Sequence, residues 1–73
     1  MTPEQVRNIL DTICEQWDGK ENAPMIEIDH GLNRYTPIQA TYPAWELSDG
    51  ILRVEWSGGT RWIDCDSITS IGI

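Results

Sequence analysis

The stretch DGILRVEWSGGTRWIDCDSITSIGI, Asp49 to Ile73, carries two tight-turn signals, Asp49-Gly50 and Gly58-Gly59. Apolar and polar residues alternate between and after them, the pattern of consecutive β-hairpins. A two-residue loop at Asp49-Gly50 sets Leu47 against Leu52, Glu46 against Arg53 and Trp45 against Val54. A second at Gly58-Gly59 sets Trp56 against Arg61, Glu55 against Trp62, Val54 against Ile63, Arg53 against Asp64 and Leu52 against Cys65. Facing residues share a sheet face, so Trp45, Leu47, Leu52, Val54, Trp56, Ile63 and Cys65 form one apolar face. Glu46, Arg53 and Asp64 then form a row across the other, with Glu55 and Trp62 beside it. A three-residue second loop would set Val54 against Asp64 and put side chains on the wrong face. Opposite charges across strands add about 0.2–1 kcal/mol per pair, which supports this register without creating it.

Working outward, Thr2-Pro3-Glu4-Gln5 reads as a helix start: Thr caps, Pro suits the first helical position and Gln5 completes a capping box. Val6, Ile9, Leu10, Ile13, Cys14 and Trp17 recur at the spacing of one helix face, and Gly19 supplies the stop. The opposite face carries Glu4, Arg7, Asp11 and Glu15. A membrane-surface helix would want Lys and Arg there, so core packing is the expected role. Met25 to His30 alternates as a strand ended by Gly31. In Leu32–Ala44, Tyr35, Ile38, Ala40 and Tyr42 look extended, but Pro37 and Pro43 push the segment to an edge or bend. Asp66-Ser67-Ile68 starts a short helical turn, and Ile71–Ile73 a last strand.

Seventy-three residues with no repeat or linker predict one domain, 1–73, with a helix over about 3–18 and a sheet over about 25–73. The fold class is α+β, an amphipathic helix on a small twisted antiparallel sheet. The order of elements from Met25 to Ile73, and above all the run LRVEWSGGTRWIDCDSITSI, resembles the small SH3-like or Sm-like barrels. That resemblance implies a bent five-stranded barrel with the helix across one end or edge. A plain sheet of three or four strands under one helix is the alternative.

Twelve acids against five bases give a net charge of −7. Residues through Gly31 carry −5 of it, the remainder −2. Phosphate backbones need clustered Lys and Arg, so a direct nucleic-acid binder is not expected. Nothing approaches a membrane span or a signal peptide, and a cytoplasmic protein is the default. Cys14 and Cys65 sit at apolar positions and read as two buried thiols, not a disulfide.

Catalytic chemistry finds little footing. His30 alternates in phase with Ile26 and Ile28. Cys14, His30 and Cys65 lack the short pair spacing of zinc motifs, so no metal or cofactor is expected. The Ser57–Thr60 run lacks the lysine and following helix of a phosphate loop. Arg53 between Glu46 and Asp64 suits an ion cluster, not general acid catalysis. No enzyme activity is expected.

The aromatic residues say more. Four Trp, two Tyr and no Phe give every ring a polar handle, as suits a surface both apolar and wet. Trp17, Trp45 and Trp56 have places on the core faces, and Trp56 is set for a cation–π contact with Arg61. Trp62 falls on the charged face. It either packs under Leu32–Ala44 or joins Tyr35 or Tyr42 in a recognition patch ringed by acids, a typical anchor of interfaces. The expected binding residues are thus Trp62, Tyr35, Tyr42, Glu55, Trp56 and Arg61, with an acidic surface at Glu4, Asp11 and Glu15. In size and charge the chain resembles short acidic inhibitor proteins of phages and mobile elements. That likeness implies non-catalytic docking on a basic or nucleic-acid-binding surface of a partner protein. A self-associating subunit, or SH3-type peptide recognition, are the alternatives.

Overall fold

The computed structural model describes residues 1–17, 25–38 and 44–73. The expected Gly19 stop and the Lys20–Pro24 connection lie outside them, as do Ala40, Tyr42 and Pro43. Helix α1 spans Pro3–Trp17. Its capping box forms: the Gln5 N–H donates to Thr2 Oγ1 at 3.1 Å, and the Thr2 N–H to Gln5 Oε1 at 2.9 Å. Pro3 has no N–H to satisfy, so two of the three unpaired donors at the helix start are paired in this way. Val6, Leu10 and Ile13 bury the face turned to the sheets, each contributing about 1.5–3 kcal/mol when fully covered.

Among the described residues six strands follow, in two antiparallel sheets. The first sheet has the order β2-β1-β6, from Asn33–Tyr35, Glu27–His30 and Ile68–Gly72. The second is a meander of β3 (Trp45–Ser48), β4 (Ile51–Trp56) and β5 (Gly59–Asp64). A 3-10 turn over Cys65–Ser67, capped by the Asp64 carboxylate accepting from the Asp66 N–H, leads from β5 to β6. It begins one residue earlier than the sequence suggests, and β6 starts at Ile68. The fold is α+β. Among the described residues no closed barrel is found; the sheets meet through a single bridge, Pro37 with Trp56, and an Ile38 N–H to Glu55 carbonyl bond of 3.0 Å. The expected single sheet of three or four strands is instead two sheets of three strands each among the described residues.

Between the layers lies one core: Val6, Leu10, Ile13, Ile26, Ile28, Tyr35, Trp45, Leu52, Val54, Ile63, Cys65 and Ile68. The Met1 amine ties the helix start to the far end of the chain, donating to the carbonyls of Cys65 (3.1 Å) and Ile68 (3.0 Å). Among the described residues no helix is long and apolar enough to cross a membrane.

The first hairpin has the expected register: Trp45 faces Val54, Glu46 faces Arg53 and Leu47 faces Leu52. Asp49 (φ 53°) and Gly50 (φ 76°) both take the left-handed backbone of a type I′ hairpin turn. The second hairpin differs. Its loop is Ser57-Gly58, and Trp56 faces Gly59, Val54 faces Arg61, Arg53 faces Trp62, Leu52 faces Ile63 and Ile51 faces Asp64. At the tip the Trp56 indole lies across Gly58 so closely that a Cβ there would stand 2.5 Å from the ring, and the positive φ falls on Gly59 (125°), just outside the loop. Every two-residue loop leaves the faces unchanged, so the apolar face survives while the row across the other face becomes Glu46, Arg53 and Trp62.

Candidate functional site

The candidate site is the outward face of the β3-β4-β5 sheet. Alternation along β4 turns Leu52 and Val54 inward and Ile51, Arg53 and Glu55 outward. In β5 the same rule turns Ile63 inward and Trp62 outward. Trp62 is 65% exposed, beside Arg53 on the neighbouring strand, and the described part of Leu32–Ala44 does not cover it. Arg53 donates from Nη1 to Glu55 Oε1 at 2.9 Å and from Nη2 to Glu46 Oε2 at 3.2 Å. Only 20% of its side chain is exposed. One cation thus holds two carboxylates in place at the foot of the indole. A shallow hollow of about 210 Å³ opens between Glu46, Ser48, Ile51, Arg53 and Trp62.

The expected binding residues divide between the two sides of this sheet. Glu55 stays with Trp62. Tyr35, only 4% exposed, belongs to the core and packs edge-on against Trp56 with ring centroids 5.1 Å apart. It therefore cannot join Trp62 in a patch, because the β4-β5 hairpin stands between them. The Arg61 guanidinium lies over the Tyr35 ring at 5.7 Å rather than pairing with Trp56, since the register sets Arg61 against Val54. Tyr42 lies outside the described residues. Glu4, Asp11 and Glu15 are all exposed on α1. Asp64 leaves the row with Arg53: it faces Ile51 and caps the 3-10 turn. Ile51 and Ser48 were not singled out in the sequence, although β4 alternation alone puts Ile51 on the charged face.

Elsewhere the polar chemistry serves the fold. Cys14 is half-buried and Cys65 buried, and both are free thiols. Burial pushes both upward in pKa, assisted at Cys65 by Asp64 and Asp66, so they stay protonated and weakly nucleophilic. Among the described residues no three His, Cys, Asp or Glu side chains are grouped to hold a metal. On the first sheet, Arg34 bridges Asp29 (2.7 Å) and Glu27 (3.4 Å), while Ser70 Oγ donates to Asp29 Oδ2 at 2.6 Å. These bonds, the Arg34 one foremost, hold the Asp29 carboxyl below its usual range.

The outward face of the β3-β4-β5 sheet thus sets an exposed tryptophan beside an arginine held between two carboxylates. Comparison of the chain with protein-family models, with curated proteins and with solved structures finds no match in any of the three.

Proposed function

We propose that the protein is a non-catalytic protein-binding module whose β3-β4-β5 face docks on a basic or mixed surface of another protein. The observation that carries this reading is Trp62, a large ring 65% exposed on the outward face of β5, beside Arg53. Buried, such a ring is a dominant interface anchor. Glu46 and Glu55 beside it, on a chain of net charge −7, favour a positively charged partner and steer its approach. A small acidic inhibitor that occupies a nucleic-acid-binding surface, in a cytoplasmic setting, is the specific form of this proposal. The hairpin, 3-10 turn and strand from Ile51 to Gly72, with the Pro37–Trp56 bridge, are consistent with an opened relative of SH3-like barrels.

The test is retention of proteins by the immobilised intact chain, compared with Glu55→Lys and Trp62→Ala variants at rising salt. A basic protein held by the wild type, released by salt and lost with both variants, is the expected result. Equal retention by folded Trp62→Ala and Glu55→Lys chains overturns the reading.

A further inference from the structure

The two sheets expose four strand edges, and three are defended. β2 is only three residues long. On β3 the Leu47 carbonyl is covered by the Arg7 guanidinium at 3.3 Å. On β6 the register to β1 is interrupted between Asp29 and His30, and the Met1 amine covers the Ile68 carbonyl. Short strands, bulges and covering charges are how sheets avoid unwanted strand addition. β5 has none of these. It is six residues long, unbroken in register to β4, and holds no proline.

The direction of its free groups follows from the turn. Trp56 and Gly59 bracket the two-residue loop and form the hydrogen-bonded pair, so alternation makes Val54–Arg61 and Leu52–Ile63 the next bonded pairs. The N–H and C=O groups of Thr60, Trp62 and Asp64 therefore point away from β4. In agreement, the Cys65 N–H reaches back to the Gly50 carbonyl at 3.0 Å. Among the described residues, only the Asp64 carbonyl on this edge has a partner, accepting from Ser67 Oγ at 2.7 Å. Trp62 thus presents its indole on the face and its open backbone on the edge.

We infer that a second copy of this chain pairs antiparallel along β5, with Trp62 opposite Trp62, to make one continuous six-stranded sheet. The occupant is argued from charge. Gly59–Asp64 holds one arginine and one aspartate and is neutral within a chain of −7, so two copies meet along this undefended edge without net repulsion between the paired strands. Only registers that keep faces together qualify, and three are centred on the middle of the strand. Centring on Arg61 sets two guanidinium groups against each other. Centring on Ile63 sets each Trp62 against an aspartate, Asp64 of the second copy. Centring on Trp62 sets Thr60 against Asp64, Arg61 against Ile63 and indole beside indole, with no like charges opposed. Cross-strand aromatic pairs are favourable, and the two Trp62 residues exchange both backbone bonds. Glu46, Arg53, Glu55 and Ile51 stay outward, so the pairing does not rest on the proposed docking of a partner.

The experiment is the solution mass of the intact chain from micromolar to millimolar concentration, by sedimentation at low and high salt. The mass should rise from 8.3 kDa toward twice that value. Salt should strengthen self-pairing of like-charged chains, whereas it weakens docking on a basic partner, so the two proposals fail separately. Thr60→Lys, placed against Asp64 in two symmetric pairs, should tighten the dimer about two- to thirtyfold. Thr60→Glu should loosen it, and Trp62→Lys should leave a folded monomer. If Trp62→Lys does not fold, the two Thr60 variants carry the test, because Thr60 is exposed. A constant 8.3 kDa mass, or a dimer indifferent to the folded variants, overturns the inference.

Discussion

The two sheets each fix one arginine between two carboxylates on their outward faces, and they do so to different ends. On the first, Arg34 joins Glu27 and Asp29 with 58% of its side chain exposed. Asp29 is bound from both neighbouring strands, by Arg34 of β2 and Ser70 of β6, so the network laces three strands together. On the second, Arg53 is 20% exposed and links β4 to β3. No ionic tie among the described residues reaches β5, and the outward residue there is Trp62. The same ion chemistry is a fastening in one sheet and the floor of a presented surface in the other. The difference lies in the exposed ring, not in the charges.

The comparison assumes one shared core beneath both faces, which truncation tests most severely. Ile28→Ala in the first sheet and Leu52→Ala in the second remove fully buried side chains, and each should cost about 2–5 kcal/mol. Thermal melts followed by far- and near-ultraviolet circular dichroism should show one coincident transition for both. Separate transitions would mean that the sheets are independent and that the face of one says nothing about the other.

Next in size is the contrast between two tryptophans on the same hairpin. Trp56 packs against Tyr35 and over Gly58, so Trp56→Ala should lose about 2 kcal/mol or more. Trp62→Ala should change stability by no more than about 0.5 kcal/mol, as exposed positions do. Similar losses in urea titrations of the two variants would place Trp62 in the fold rather than on a docking surface.

These two residues also show what could be read from the chain. Trp62 was legible as outward-facing from alternation alone, because any two-residue loop at the tip leaves the faces intact. Its neighbour was not legible. Ser57-Gly58 and Gly58-Gly59 are equally good loops, and opposite charges favour setting Arg53 against Asp64. In the structure the Trp56 ring lies over Gly58 and the left-handed residue is Gly59, the first of β5, and no pattern in the residues separates that tip from its rival. Asp49-Gly50 had no such rival, and its register was correct. Tyr35 failed for another reason: a three-residue strand followed by a proline offers too little alternation to tell inside from outside. The capping box at Thr2 and Gln5 lies wholly within four residues, and it formed as read.

The arginines give a smaller effect that sharpens the comparison directly. Arg53→Met leaves Glu46 and Glu55 without their shared counter-charge in a half-covered place, at a cost of about 1–2 kcal/mol. Arg34→Met should cost less, because exposed pairs are screened. Added salt should narrow the Arg34 loss more than the Arg53 loss in denaturant titrations. The reverse order would make the first sheet's network the more protected one and undo the distinction between fastening and floor.

The smallest effect belongs to Asp29 and appears only in acid. Its carboxyl is lowered in the folded chain, first by the hydrogen bond from Arg34, then by that from Ser70. The folded state therefore favours the ionised form more than the unfolded chain does. A lowered carboxyl contributes stability that is present above its unfolded value, about 3.9, and lost as pH falls through the folded value. The window lies below about pH 4. Asp29→Asn should reduce stability slightly at neutral pH and flatten the acid limb of the stability curve, bringing variant and wild type together at the lowest pH. Arg34→Met should flatten the same limb by removing the principal cause of the shift. If both variants keep the wild-type acid limb, Asp29 is not tied across β1 in solution, and the first sheet's outward face would be as open to a partner as the second.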